Sequence, residues 1–332
     1  MKKFLFIQTA SIGDVILITP AIENLHSSIP DAIIDVLIKK GCENLFNNHP
    51  FINNIKIFDK SKNKYKNLIK ITKEVRKEKY DAVLCFHRFF SGGFITAFSK
   101  ADYRVGFNKN PFSFFFNKKL KHNIGNQNNF EHEKDRNLLL VSWLTHNNSA
   151  KIKLYPSEND CNKIAKYTNC KYLCIAPASL WFTKQFPASK WIDFINKIND
   201  DFKVYLLGSN SDKNICNEII NNSINNNIDN LCGKLDFLET AALMKKAVMN
   251  FANDSAPVHL ASAVNAPVTV IYCSTVPEFG FTPLSDKSFI IQTKKQLKCR
   301  PCGLHGHKKC PEKHFNCAYT INTDELLKTI LL

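Results

Sequence analysis

Asn253-Asp254-Ser255-Ala256-Pro257-Val258-His259 stands between an apolar run at 248–252 and a stretch of small and apolar residues at 256–264. The three pieces read as strand, turn and helix. Ser255 marks the helix start, and Pro257 suits a first turn because its missing N–H has no intrahelical partner there anyway. The unpaired N–H groups of that start, with the helix dipole behind them, form a cradle for an anion. His259 follows one turn later on the same face, placed to donate to a diphosphate. Alone, a histidine here is more often structural; its weight comes from the way the same grammar repeats along the chain.

Working outward, the second half alternates strands at 172–176, 203–207, 248–252 and 268–272 with helices at 189–198, 212–220, 238–246 and 256–264. Its polar stretch 221–230 reads as a connection. The first half does the same, with strands at 3–8, 32–38, 55–58 and 82–86 and helices at 15–26, 41–47, 65–77 and 133–144. Alternation of this kind implies parallel strands joined by crossover helices. The fold class is α/β: two Rossmann-like domains with parallel sheets facing a cleft, their ligands at the carboxyl ends of the strands. Polar residues 145–149 and Pro156 mark the approach to a hinge between 150 and 170, dividing the chain into 1–160 and 161–332. Residues 111–130, aromatic and polar, read as a surface loop or lid.

The 332 residues, 44% of them hydrophobic, suffice for two cores. No run of eighteen apolar residues occurs, and Gln8, Ser11 and Asp14 interrupt 1–20, so neither a membrane span nor a signal peptide is expected and the location reads as cytoplasmic. A formal charge of +16 attracts polyanions. The lysines are scattered among asparagines, as at Lys60-Ser61-Lys62-Asn63-Lys64, which reads first as a solvated surface and second as help in meeting an anionic membrane or glycolipid. No nucleic-acid signature accompanies them.

Two more polar loops follow strands. Ser11-Ile12-Gly13-Asp14 opens the first helix: Gly13 permits a tight turn, and Asp14 is either a helix cap or a carboxylate acting as general base. Ala176-Pro177-Ala178-Ser179-Leu180-Trp181-Phe182-Thr183-Lys184-Gln185-Phe186-Pro187 is longer. Its backbone, the Ser179 hydroxyl and the Lys184 cation suit phosphate oxygens, against the plain alternative of a solvated lysine. Neither a Gly-x-Gly-x-x-Gly nor a Gly-x4-Gly-Lys-Ser/Thr element is present, which argues against dinucleotide oxidoreductases and P-loop nucleotidases. The lack of an Asp-x-Asp element leads us to expect a diphosphate neutralised without an obligatory metal.

Ser11 to Asp14 with Pro20-Ala21, Arg104-Val105-Gly106-Phe107, Lys184 to Pro187 with Trp191, and Asn253 to Ala261 together resemble glycosyltransferase family 9, the ADP-heptose:lipopolysaccharide heptosyltransferases. The likeness spans nearly the whole chain. It implies a GT-B fold, inverting transfer, an acceptor-binding N-terminal domain and a donor-binding C-terminal one. Carried over, Asp14 is the catalytic base, with Ser11 and Gly13 on the acceptor side. Ser179, Lys184, Asp254, Ser255, His259 and the backbone of Ala256 and Val258 hold the donor, and Asn210 of Gly208-Ser209-Asn210 occupies the ribose loop. The implied partners are a nucleotide-sugar donor, ADP-heptose, and a phosphorylated lipopolysaccharide core reached at the inner membrane. Another hexosyl or N-acetylhexosaminyl transferase, and a non-catalytic nucleotide- or glycan-binding homologue, are the alternatives. Three departures stand out: Asn210 where an acidic residue is frequent, Ala256 where Gly is usual, and Ala-Pro-Ala-Ser where a Gly is common.

Twelve cysteines are present. Eight lie in apolar stretches and read as reduced core residues. Cys299, Cys302, Cys310 and Cys317 cluster near His305, His307 and His314. A structural zinc knuckle is chemically reasonable for this set, but the second pair is spaced too widely for a standard ribbon, which favours thiols or a disulfide-capable loop.

Overall fold

The computed structural model describes residues 2–125, 130–146 and 150–331 of the chain. Two compact units emerge: Met1–Gly125 with Glu131–Tyr155, and one containing Pro156–Leu332. The first holds strands β1 (Lys3–Gln8), β2 (Ile33–Lys39), β3 (Asn54–Phe58), β4 (Ala82–Cys85), β5 (Tyr103–Phe107) and β6 (Lys118–Leu120). Its helices are α1 (Ile12–Ile16), α2 (Thr19–Ser28), α3 (Lys64–Lys77), α4 (Phe90–Ala97) and α5 (Glu133–Leu139). The second holds β7 (Tyr172–Ala176), β8 (Lys203–Leu206), β9 (Ile228–Asn230), β10 (Met249–Asn253), β11 (Val268–Tyr272) and β12 (Ser288–Gln292). Its helices are α6 (Glu158–Ile164), α7 (Ala188–Ile195), α8 (Lys213–Asn222), α9 (Phe237–Lys246), α10 (Ala256–Ala263), α11 (Asn316–Tyr319) and α12 (Asp324–Leu331).

Each unit contains one six-stranded sheet, ordered β3-β2-β1-β4-β5-β6 and β12-β11-β10-β7-β8-β9. All ten strand pairs are parallel. Numbered within its own unit, each sheet runs 3-2-1-4-5-6, the doubly wound order. The central strands are buried on both faces, which is why β1, β7, β10 and β11 read as near-continuous apolar runs rather than alternating ones. Strand order reverses between β1 and β4 in one unit and between β7 and β10 in the other. At such a point the outgoing chains turn to opposite faces of the sheet and leave a crevice at the carboxyl edge.

Side chains fix these elements in specific ways. Trp191 of α7 is fully buried, with Phe186 edge-on at 5.2 Å, on a core that includes Leu173, Ile175 and Phe251. In the first unit Arg136 is fully buried, donating to Glu133 at 2.7 Å and to the carbonyls of Asn123 and Glu131, while His122 pairs with Glu133 at 3.1 Å. A charge so enclosed survives only because every neighbour answers it.

Several elements differ from the sequence reading. The helix expected over 15–26 is two: Pro20 lacks an N–H and would clash with the carbonyl of Ile16, so α1 ends, Thr19 Oγ1 donates to Ile16 O, and α2 starts with Pro20 in its first turn. Residues 41–47 yield only a 3₁₀ turn, Glu43–Phe46. The 111–130 stretch contributes a 3₁₀ turn, Ser113–Phe115, and the edge strand β6; its residues 126–129 lie outside the described ones. The helix expected over 133–144 stops at Leu139, and the polar 221–230 connection ends in the edge strand β9. α4 and α6 go beyond the reading altogether. α6 begins just past the Tyr155 division, with Ser157 and Asp160 forming a capping box. Of the eight cysteines read as core, Cys170 is exposed and Cys161 half-buried; all twelve are free thiols.

Candidate functional site

In the second unit, the loops after β7 and β10 meet at the switch point. Asn253, fully buried at the end of β10, ties them: its Oδ1 accepts from Phe186 N at 2.8 Å, and its Nδ2 donates to Pro177 O at 2.8 Å and Ala178 O at 3.3 Å. The asparagine at the head of the motif is thus a staple that shapes the 177–186 loop.

Lys184 ends the 3₁₀ turn Phe182–Lys184 and reaches Asp254 Oδ2 at 2.7 Å. Thr275 Oγ1 donates to the same oxygen at 2.7 Å. Lys184 is therefore no solvated lysine: its ammonium is held beside the start of α10. Asp254 is oriented by both partners. Ser255 is the N-cap of α10 with extended backbone, and its hydroxyl donates to Asn253 O at 3.3 Å without capping the helix. Ala256 and Val258 carry the first N–H groups of α10, Pro257 having none, and Val258 N already donates to Ser255 O at 3.1 Å. Ala256 opens the helix with helical backbone, so its Cβ meets no strain where Gly is usual. His259 is buried one turn in. Ser179 donates its N–H to Gln185 Oε1 at 3.2 Å and remains half-buried at the edge of the loop.

Asn210 lies at the carboxyl edge of β8, exposed, in the 3₁₀ turn Asn210–Asp212. Its amide closes against Gly233, where a Cβ would come within 2.0 Å of Asn210 Oδ1. The nearby acid, Asp212, accepts from Ser209 N and Oγ, both at 2.7 Å.

In the first unit, Ser11 and Asp14 form a reciprocal capping box on α1: Asp14 Oδ2 accepts from Ser11 N at 3.0 Å and Ser11 Oγ at 2.7 Å. The capping role is thus present in full. Gly13 sits inside α1 and makes no tight turn. Lys60, expected in a solvated run, is half-buried and donates to Thr9 O at 2.6 Å, and burial pushes its pKa down to about 8. His87, after β4, joins the same edge through Thr9 Oγ1 at 3.0 Å.

The cysteine-rich segment packs onto the donor loops. Thr183 Oγ1 accepts from His307 N at 2.7 Å and from Ser274 Oγ at 3.1 Å, while Thr183 N donates to His307 O and Thr183 O accepts from Ser274 N. Gly306, at φ +76°, passes so close that a Cβ would lie 2.8 Å from Thr183 Oγ1 and 3.1 Å from Lys184 Cγ. Arg300 donates to the carbonyls of Cys273 and Thr275 at 2.8 Å. Sequence reasoning passed over Thr183, Ser274, Thr275, Arg300 and Gly306. A threonine beside the lysine was the sole local hint.

Cys299 Sγ lies 4.0 Å from His314 Nε2, and burial pushes the Cys317 thiol up to about 11. Among the described residues, only Asp160, Asp236 and Glu239 bring three metal-capable atoms within 4.8 Å of one another. No three sulfurs of the four terminal cysteines lie within 4.8 Å of one another, although Cys299, Cys302 and Cys310 are near enough to Cys317 to act on it electrostatically. The acidic trio is accounted for by two helix caps and by Lys163, 2.6 Å from Glu239.

Two doubly wound parallel sheets, each with polar loops gathered at its switch point, match the GT-B architecture. A sequence profile described as glycosyltransferase family 9 (heptosyltransferase) matches residues 68–315, and the chain belongs to that family. It is similar to lipopolysaccharide heptosyltransferase 3 of Escherichia coli, 26% identical over 279 residues covering 79% of this chain and 81% of that protein. Among solved structures it resembles a glycosyl transferase family 9 protein from Veillonella parvula (TM-score 0.85, 18% identity, 99% and 97% of the chains). It also resembles E. coli ADP-heptose lps heptosyltransferase II (TM-score 0.77, 19% identity, 100% and 99% of the chains).

Proposed function

We propose that this enzyme transfers heptose, with inversion, from ADP-heptose to the inner core of lipopolysaccharide, working without an obligatory metal at the cytoplasmic face of the inner membrane. The observation that carries this reading is the Lys184 ammonium fixed by Asp254 beside the N-terminus of α10, at the switch point of a sheet in a heptosyltransferase-family chain. The names of its relatives, lipopolysaccharide heptosyltransferase and ADP-heptose heptosyltransferase, support the donor and acceptor.

In the reaction, an acceptor hydroxyl oxygen attacks the anomeric carbon while the bond from that carbon to the β-phosphate oxygen breaks. The bonding pair leaves with ADP, so negative charge grows on the diphosphate. Lys184, Ser255, His259 and the first N–H groups of α10 are the donors that stabilise it. Asp14 takes the hydroxyl proton, its Ser11 contacts giving way to the acceptor. Ser11 and Gly13 line the acceptor side, and Asn210 takes the ribose.

The test uses purified enzyme and ADP-, UDP- and GDP-linked sugars. Only the ADP series is expected to raise the thermal midpoint and release nucleoside diphosphate. Lys184→Ala is expected to weaken ADP binding about 10- to 100-fold, the worth of a charged hydrogen bond. Asp14→Asn is expected to keep ADP affinity and cut turnover about 10²-fold or more. Stabilisation by UDP alone would overturn the donor; normal turnover of Asp14→Asn would remove the base.

A further inference from the structure

Five phenylalanines stand open to solvent on the first unit: Phe89 (53%), Phe90 (49%), Phe98 (38%), Phe114 (70%) and Phe115 (40%). Phe90, Phe98, Phe114 and Phe115 form one raft with Phe112, and Phe89, next to Phe90 in the chain, has its ring 5.6 Å from His87. Phe90 meets Phe112 at 5.1 Å, Phe98 meets Phe112 at 6.2 Å and Phe115 at 5.6 Å, and Phe114 lies on Phe115 at 4.1 Å. Contiguous exposed apolar surface of this kind marks an interaction site.

The raft is built to hold its shape. Asn110, buried, donates from Nδ2 to the carbonyls of His87 and Phe89, both at 3.2 Å, and its Oδ1 accepts from Phe112 N at 2.9 Å. One amide therefore joins the loop after β4 to the loop after β5. Gly93 of α4 makes room for it, since a Cβ there would fall 1.9 Å from Asn110 Oδ1.

Charge distinguishes the occupants. Residues 88–121 contain seven Lys and Arg (Arg88, Lys100, Arg104, Lys109, Lys118, Lys119, Lys121) against a single acid, Asp102. Lys100, Lys109 and Lys119 are exposed. Face-to-face pairing of two copies through this patch would set like charges against each other. An anionic bilayer surface matches both properties at once: rings enter the boundary between headgroups and acyl chains, and lysines rest among lipid phosphates. Among the described residues no helix is long and apolar enough to cross a membrane, which leaves surface contact as the mode.

Position gives the contact a purpose. Phe89 and Phe90 stand four and five residues past the carboxyl end of β4, and His87 joins that turn to Thr9 in the loop before α1, the helix of Asp14. We infer that the Phe89–Phe90, Phe98 and Phe112–Phe115 raft, with Lys100, Lys109 and Lys119, docks the enzyme on an anionic membrane so that a lipid-anchored acceptor meets the Asp14 edge. This rests on the reading above that the acceptor is a glycolipid.

The experiment is co-sedimentation of the full chain with vesicles of phosphatidylcholine alone or mixed with phosphatidylglycerol. Wild type is expected to bind the mixed vesicles, more weakly as salt rises, and to ignore the neutral ones. Phe89→Ser/Phe114→Ser and, separately, Lys100→Glu/Lys109→Glu are each expected to lower that binding about tenfold or more. Both are expected to keep the thermal midpoint, ADP affinity and turnover on a delipidated acceptor. Unchanged binding by both variants overturns the inference, as does a wild type that ignores anionic vesicles. A wild-type dimer that Phe89→Ser/Phe114→Ser converts to monomer assigns the raft to self-association and overturns it too. Failure of wild type to bind ADP sinks the donor reading instead, whatever the vesicles do.

Discussion

Thr183 is hidden from solvent, yet four hydrogen bonds pass through it to two distant segments. Its role follows from its neighbour: whatever holds Thr183 fixes the backbone from which Lys184 extends. Thr183→Val leaves the His307 N–H and the Ser274 hydroxyl without their acceptor, a cost of about 1–3 kcal/mol for a buried group. We expect the donor KM to rise severalfold while kcat at saturating donor holds, and Thr183→Ser to restore the donor KM. A lowered melting point with an unchanged donor KM would reduce Thr183 to a purely structural residue. None of this was legible in the sequence. The bonds join residues separated by as many as 124 positions, and backbone N–H groups leave no trace in residue type.

At the scale of elements, α1 is too short to persist by propensity, so its capping box and packing hold it. Asp14 caps α1, and mutation must separate that duty from the proposed one as base. Ser11→Ala breaks the reciprocal cap but keeps the carboxylate. It is expected to cost about 1 kcal/mol, or about 2–4 °C in the melting of a unit this size, with turnover reduced far less than in Asp14→Asn. Equal losses in the two variants would show that the cap accounts for the whole effect. Strands β1 to β4, β7, β8, β10 and β11 were legible because they carry apolar runs, whereas β5, β6, β9 and β12 were not read as strands. α4 was not: Phe90, Gly92, Gly93 and Phe94 belong to no helix-forming pattern, and tertiary contact with Asn110 decides their conformation. The 15–26 reading failed for the reverse reason, because apolar periodicity ran on past a proline that only backbone sterics reveal as a break.

For the whole molecule, the two units repeat one topology, and the first carries a buried histidine that answers to acid. Burial, with Lys60 nearby, holds His87 down to about 3 from its ordinary 6.5. Phe89 N donates to His87 Nδ1 at 3.2 Å, so the neutral ring carries its proton on Nε2, toward Thr9. Below about pH 6.5 the unfolded chain takes up a proton that the folded one refuses. The stability contributed by neutral His87 is therefore fully present above that pH and falls as pH drops toward 3, with a slope of up to about 1.4 kcal/mol per pH unit. Melting of the first unit, followed against pH, is expected to show this slope and His87→Gln to reduce it, the remainder coming from His49, which burial holds down to about 4; an equal slope in the variant would assign the effect to other groups.

The sequence conveyed that such a molecule would have two α/β halves and where their polar loops would fall. It was silent on how those loops are braced, because Asn253, Thr275 and Arg300 act through carbonyls and carboxylates supplied by other segments.

The pairing of Lys184 with Asp254 has a consequence for an enzyme of formal charge +16. One of the three N–H donors of the ammonium is already committed, so a newcomer must offer more than the resident carboxylate does. A diphosphate spreads its charge over two phosphoryl groups and can engage the lysine and the start of α10 together, whereas a lone sulfate or an acidic side chain engages one of them. On the proposed reading the Lys184–Asp254 pair thus sets a threshold: the many anions drawn to so basic a surface meet a lysine whose charge is already answered, and a ligand with two linked negative groups crosses the bar.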